Sequence, residues 1–360
     1  METINNNRMI FIGPLPPPIH GMSAMNKAIL DQLLVDGIQT ETINTAPNSL
    51  NRNLFTLLSR LHAIVTGLFQ LLGMLSTRKK KTVYISLSGG WGLLYDLLMV
   101  FLSRVFRSKF ILHHHSYAFL IKPKKLSAIL FKLAGKDSTH IVLCNKMAKD
   151  IMEKYAVKNC FVMSNLASMP VIQNGKERSK LMTIGFIGNI TMEKGGHLVI
   201  KLAKEIADSQ WPIKFIVGGP CPDPKLEILL KKAVKDGIID WIGPVYNKDK
   251  EHFLAAMDVM IMPTQYPNEA EPLVVWESLG SGVPVIAYAR GCISSQITND
   301  AGEVIPIDKN FISEAKSIIK NWLDNPNEYH QASISALKIY QNGLNDKITA
   351  KDNFKALINA

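Results

Sequence analysis

Short apolar runs alternate with longer stretches of helical spacing along almost the whole chain. The run R-M-I-F-I-G (8–13) reads as a buried strand that ends in the loop P-L-P-P-P-I-H-G, and from Gly21 the positions Met25, Ala28, Ile29 and Leu33 predict a helix. Similar strand-like runs recur as T-V-Y-I-S (82–86), K-F-I-L-H (109–113), H-I-V-L-C (140–144) and C-F-V-M (160–163), with helical patterns between them. Such alternation predicts a parallel sheet wrapped by helices. The stretch after Ser164 has weak periodicity and contains Pro170, Asn174 and Gly175, as a linker would. The alternation then restarts with L-M-T-I-G-F-I-G (181–188), a helix after Gly195, and the runs K-F-I-V-G-G-P (214–220), I-D-W-I-G (239–243), D-V-M-I-M-P (258–263) and P-V-I-A-Y (284–288). Helices are predicted over 311–323 and 327–360, beyond the last of these strands.

The fold class is therefore α/β, with two Rossmann-like domains. The first is expected over 1–164, a linker over 165–180 and the second over 181–335. A C-terminal helix over 336–360 can pack back on the first domain. Strands buried on both faces account for apolar runs without alternation.

Charge changes the picture because it is uneven. The 360 residues carry 41 Lys+Arg against 30 Asp+Glu, a net +11. Residues 1–180 hold 23 basic and 9 acidic residues, +14, whereas residues 181–360 hold 18 and 21, −3. An excess confined to one half points to an anionic surface, either membrane or nucleic acid. A hydrophobic content of 47% excludes a disordered chain. No apolar signal segment follows Met1, and the most apolar stretch, Gly89 to Phe106, is interrupted by Asp96 and Arg104, which argues against a spanning helix. The four cysteines show no paired spacing for zinc or redox chemistry, so a reduced, cytoplasmic compartment is expected.

One helical pattern has two readings. Leu54, Leu57, Leu58, Leu61, Ile64, Val65, Leu68, Leu71 and Leu75 recur at helical spacing, and Arg78-Lys79-Lys80-Lys81 closes the run. It fits a core helix followed by a solvated basic turn. It also fits an interfacial helix on an anionic leaflet, which the further bases Arg104, Arg107, Lys109, Lys122, Lys124, Lys125 and Lys132 favour.

The densest chemistry lies in N-E-A-E-P-L-V-V-W-E-S-L-G-S-G-V-P-V-I-A (268–287), where seven residues separate Glu269 from Glu277 and a helix begins near Pro272. Free amides at a helix start suit a phosphate, and a carboxylate one or two turns on can hold a ribose diol. Spacing alone carries little here. The whole string, with G-P-L-P-P-P-I-H-G (13–21), G-N-I-T-M-E-K-G (188–195), I-V-G-G-P (216–220), W-I-G-P-V (241–245) and G-S-G-V-P-V-I-A (280–287), resembles the retaining glycosyltransferases of the two-domain GT-B fold, family 4, the glycosyl transferases group 1.

That resemblance implies two Rossmann-like domains facing across a cleft, an acceptor-side first domain and a nucleotide-sugar-binding second domain. It implies that Glu277 binds the donor ribose, Glu269 lies beside the transferred sugar, the amides of Leu273 and Val274 and the Lys194 ammonium hold the diphosphate, and Gly21 gives it backbone room. Where the family usually has Gly-Arg, this chain has Gly188-Asn189. An amide cannot make the bidentate phosphate contact of a guanidinium, and Arg290 is one candidate to compensate. In L-H-H-H-S-Y-A-F (112–119), His115 best matches the family histidine near the sugar, with His113 second. Strand geometry points His114 away from both. Backbone near Ile242 and Gly243 is expected to face the nucleobase.

No G-x-G-x-x-G follows the first strand, and no P-loop, G-x-S-x-G or Asp-x-Asp occurs, which disfavours a dinucleotide oxidoreductase, a P-loop nucleotidase, a serine hydrolase and a metal-bridged diphosphate. Neither cofactor nor metal is expected. The expected enzyme moves a hexosyl or N-acetylhexosaminyl group to a glycan or polyprenyl-diphosphate-linked acceptor, in bacterial surface-polysaccharide synthesis at the inner face of the plasma membrane. The alternatives are a catalytically weak sugar-nucleotide-binding partner subunit, or a basic membrane- or nucleic-acid-binding protein. Nucleic acid is disfavoured because no aromatic residues interleave the basic patch.

Overall fold

The computed structural model describes residues 8–18, 21–46, 54–76, 81–298 and 300–359. They divide into two compact units, the first comprising the chain to Met169 together with Asp346–Ala360, the second Pro170–Asn345.

The first unit contains β1 (Arg8–Gly13), α1 (Gly21–Val35), β2 (Gln39–Asn44), α2 (Leu54–Leu75), β3 (Thr82–Leu87), α3 (Leu93–Val105), β4 (Lys109–His114), α4 (Ala118–Ile121), α5 (Lys125–Ala134), β5 (Thr139–Val142), α6 (Asn145–Tyr155) and β6 (Asn159–Val162). All six strands are parallel, in the order β2-β1-β3-β4-β5-β6. The inner strands are apolar throughout because both faces are covered. Met9, Phe11, Tyr84 and Ile111 pack on one face with Ile29 and Leu33 of α1 and with Phe354 and Ile358 near the C-terminus. The alternate residues Ile10, Ile12, Val83, Ile85 and Leu112 are equally buried, on the opposite face by strand alternation. Helix α3 packs between α2 and α5.

The second unit contains β7 (Thr183–Ile187), α7 (Gly196–Asp208), β8 (Lys214–Gly218), α8 (Pro224–Lys235), β9 (Asp240–Gly243), α9 (Asn247–Ala256), β10 (Val259–Met262), α10 (Leu273–Gly280), β11 (Val285–Tyr288), α11 (Ile293–Gln296), β12 (Gly302–Ile305) and α12 (Phe311–Asp324). Helix α13 (Pro326–Asn359) begins in this unit, and its residues from Asp346 onward belong to the first. The sheet is again parallel, ordered β12-β11-β10-β7-β8-β9. Two Rossmann-like α/β folds of GT-B type result.

Two strands escaped the sequence reading, and both are edges. In β2 (Q-T-E-T-I-N) only Ile43 is buried, and β12 lies beyond the run expected to be last. An edge strand buries less of its surface, so its sequence loses the apolar continuity that marked the others.

The apolar pattern of α2 is split. Ile64, Leu71 and Leu75 are buried, while Val65 is exposed, so the pattern is not one face. The side chains of Leu54, Leu57, Leu58 and Leu61, and residues Arg78, Lys79 and Lys80, lie outside the described residues. Lys81 does not belong to a solvated cluster. It is buried and its ammonium lies 2.8 Å from Glu41 on β2, a pairing that a desolvated ammonium requires. No described helix is long and apolar enough to cross a membrane.

The irregular segment after Met169 is fastened to the second unit. Ile172 N–H donates to the Tyr340 hydroxyl at 2.8 Å, Arg178 N–H to Ser333 Oγ at 2.7 Å, and the Arg178 guanidinium to the Ala255 carbonyl at 2.8 Å. Ser333 Oγ passes its own proton to the Gly282 carbonyl at 2.6 Å and is fully buried. Ser333→Ala leaves one buried donor and one buried acceptor unpaired, and should lower stability by about 1–3 kcal/mol. Urea denaturation followed by tryptophan fluorescence, with an unchanged m value, checks this.

Candidate active site

Strand order in the second sheet reverses between β7 and β10, and open α/β sheets bind ligands beyond the carboxyl ends of strands at such a point. The loops that follow these two strands meet there. Gly195 caps α7 with φ of 79°, and a Cβ on it would lie 2.2 Å from the Pro263 carbonyl oxygen, so only glycine permits the approach. Gln265 N–H donates to the Glu193 carbonyl at 2.8 Å, locking loop to loop.

This contact brings Lys194 to Glu269. The ammonium makes a short ion pair with the carboxylate and lies 5.2 Å from the Tyr266 ring centroid, while Thr264 Oγ1 donates to the same carboxylate at 3.3 Å. Glu269 is only 8% exposed, so these partners replace water that it has lost. Its backbone is clamped from the other side, because Cys292 N–H donates to the Ala270 carbonyl at 2.6 Å and a Cβ on Gly291 would lie 2.4 Å from the Glu269 and Ala270 carbonyls. Trp276 Nε1 donates to the buried Glu271 carboxylate at 3.1 Å, tying the loop to α10.

Helix α10 begins at Leu273, as the sequence predicts, with Pro272 as N-cap and no side-chain cap. The first-turn amides of Leu273 and Val274 carry the partial positive charge of the helix start. One turn on, Glu277 pairs through both oxygens with Lys250 of α9, at 2.7 and 2.6 Å. Lys250, Thr264 and Tyr266 were not anticipated. Lys250 stands in the charged run N-K-D-K-E-H, where nothing local singles it out.

Of the remaining predicted residues in this unit, Asn189 is exposed in the loop after β7, where a Cβ on Gly219 would come within 1.9 Å of the Gly188 carbonyl. Ile242 is 59% exposed and Gly243 has φ of 78°. The Gly243 carbonyl accepts from Gly219 N–H at 2.6 Å. Arg290 lies in the loop that reaches Ala270. Burial lowers its pKa, and its Nε is buried with no hydrogen-bond partner among the described residues.

Gly21, His113 and His115 belong to the first unit. Gly21 opens α1 and is exposed. His113 in β4 and His115 just beyond its end lie with ring centroids 4.0 Å apart, and the Tyr84 hydroxyl lies 2.5 Å from His113 Nδ1. His114 faces away from both, as strand alternation predicts, with Nε2 2.9 Å from His140 Nδ1; His140 Nε2 in turn lies 3.2 Å from Ser138 Oγ. Burial holds all three buried rings neutral, with the pKa of His113 and His114 well below 6.5 and that of His140 at about 4. Among the described residues no group of three His, Cys, Asp or Glu is arranged to hold a metal.

Residues 171–338 match the family model described as glycosyl transferases group 1. The second unit thus resembles the glycosyl transferases group 1 family, and the fold is of GT-B type. Over 147 residues it is 27% identical to the 2-deoxystreptamine glucosyltransferase of Streptomyces kanamyceticus, covering 40% of this chain and 36% of that protein. Over 185 residues it is 25% identical to the 2-deoxystreptamine N-acetyl-D-glucosaminyltransferase of Niallia circulans, covering 49% and 47%. The matched stretch is less than half the length of either relative. The crystal structure of Anabaena HepE in complex with UDP-glucose superposes with a TM-score of 0.68 at 13% identity, over 98% of this chain and 99% of that one.

The buried histidines give a pH prediction for the first unit. Their folded-state pKa values lie below 6.5, so the unfolded chain takes up protons first and stability falls as pH drops from about 6.5 towards 4. Asp96 acts in the opposite sense. Burial raises its carboxyl from 3.8 to about 7, so the folded state binds that proton first and gains stability over the same window. Asp96→Asn removes the opposing contribution, and urea midpoints measured across this range should fall more steeply with acid than in the wild type.

Proposed function

We propose that the protein is a retaining glycosyltransferase that moves a hexosyl or N-acetylhexosaminyl group from a nucleoside diphosphate sugar to a glycan or lipid-linked acceptor. The observation that carries this reading is the Lys194–Glu269 pair held beside the uncapped start of α10. A diphosphate placed there meets a lysine cation and the free amides of Leu273 and Val274, which neutralise charge as it develops on the leaving group. Glu269 is then released to the hydroxyls of the transferred sugar, and Glu277, held by Lys250, receives the ribose diol. His115, with His113 as the second candidate, is the first-unit residue we assign to the transferred sugar.

No carboxylate is clearly placed as a covalent nucleophile, so the route we favour is displacement on one face of the sugar. The acceptor hydroxyl oxygen bonds to the anomeric carbon as the bond to the diphosphate breaks. The hydroxyl proton passes to the departing phosphate oxygen. Charge stabilisation falls to protein cations and dipoles, with neither metal nor cofactor in the scheme. HepE binds UDP-glucose, so uridine donors are the first to test. The acceptor we favour is a polyprenyl-diphosphate-linked oligosaccharide of bacterial O-antigen, capsule or exopolysaccharide synthesis, met at the inner face of the plasma membrane.

Asn189 in place of arginine favours a second reading, a weakly active sugar-nucleotide-binding partner subunit. Turnover decides between them. A thermal-shift screen of nucleoside diphosphate sugars should find a donor that raises the melting temperature, and Glu277→Ala should abolish that shift. Lys194→Ala should lower donor turnover by about 10²–10³-fold. NMR of the product should show the donor's anomeric configuration, and the inverted anomer would overturn the proposal.

A further inference from the structure

The first unit presents an apolar outer face on its helices. In α3 the outward positions Leu94, Leu98, Phe101 and Val105 are 39%, 47%, 56% and 62% exposed. They follow one another at steps of four, three and four residues and so form one stripe. The neighbouring α2 repeats the arrangement with Val65, Phe69 and Leu72, of which Phe69 is 71% exposed, and α5 adds Ile129. A helix facing water normally carries polar residues on this side. Here Asp96 and Ser103 of α3 face inward, and Arg104 at its last turn is the charged residue left on the outside.

Charge identifies what this face meets. Between residues 54 and 134 the sequence holds 12 Lys and Arg and a single acidic residue, Asp96, which is buried. Arg104, Arg107, Lys122, Lys125 and Lys132 are all exposed on or beside α3 and α5. Apolar patches rimmed by charge mark interaction surfaces. An apolar stripe with a basic rim, on helices that themselves carry no exposed acid, complements a layer that is hydrocarbon beneath and anionic at its surface. A second copy of the same face would set like charges against each other.

We propose that the outer face of α2, α3 and α5 docks on an anionic lipid bilayer, with the α3 stripe at the boundary between headgroups and acyl chains and the lysines and arginines on lipid phosphates. This extends the reading of the first unit as the acceptor side, and its support is the exposure and charge of this face, independent of the transfer chemistry.

The full chain should co-sediment with vesicles of phosphatidylcholine mixed with phosphatidylglycerol but not with phosphatidylcholine alone, and salt should weaken the binding. Leu98→Glu combined with Phe101→Glu should reduce vesicle binding at least about tenfold. The thermal shift by a nucleoside diphosphate sugar should be unchanged. Phe101→Trp, which keeps the packing, should shift its emission to the blue on anionic vesicles. Three results would each overturn the proposal: no vesicle binding by the wild type, full binding by the double variant, or a wild-type dimer in ultracentrifugation that the double variant abolishes. Loss of transfer to a soluble acceptor would sink the proposed function and leave the docking face standing, whereas loss of vesicle binding with donor binding intact would do the reverse.

Discussion

The crevice of the second unit depends on one close approach, the backbone of Gly195 against the carbonyl of Pro263. Two loops following different strands must come together there, and any side chain at Gly195 would hold them apart. Because they touch, Lys194 reaches a carboxylate 75 residues away. Glu269 is nearly stripped of water, and an isolated buried carboxylate costs several kcal/mol, so Lys194 and Thr264 stabilise the loop as well as furnish its chemistry. On the proposed function, the cation is in place before a diphosphate binds, which would spare the reorganisation that water demands.

Each carboxylate of the motif has its own lysine, but the two pairs come from different elements. Lys194 stands on the loop after β7, while Lys250 comes from α9. Glu269 lies on a loop clamped from both sides and Glu277 on a regular helix. The first is fixed by its backbone and the second by its helix, with the uncapped amides between them. Positive and negative groups are therefore interleaved at the site, an arrangement that suits the proposed ligand with its charged diphosphate and neutral hydroxyls.

The interior strands were legible because burial on both faces leaves a continuous apolar run, as in V-M-I-M of β10. The edge strands β2 and β12 were not, since much of their surface needs no apolar cover. The start of α10 was legible from Pro272, and the inward and outward alternation of the three histidines followed from strand geometry. Lys194 and Glu269 were assigned to one site only through the whole motif string, and their ion pair was not anticipated, for no periodicity links residues so far apart. Lys250 and Lys81 show the limit in opposite directions. Each stands among other charges, and only the folded chain reveals that one binds Glu277 and the other is buried against Glu41.

Lys81 also refines the meaning of the basic first half. One lysine of the R-K-K-K run is consumed by the fold, so the run itself is not the clearest evidence for an anionic partner. The better evidence is the orientation of α3. Its carboxylate points inward, where Asp96 accepts from the Ser88 N–H at 2.7 Å and holds the turn after β3, while Leu94, Leu98, Phe101 and Val105 point outward. Hydrophobic burial alone would favour the reverse, since every exposed leucine or phenylalanine forgoes about 1.5–3 kcal/mol of transfer free energy. A helix that keeps its acid inside and its Phe101 outside is stabilised by its surroundings only if those surroundings are apolar. On the docking proposed above, the lysines and arginines beside it set the sign of the surface that would supply them.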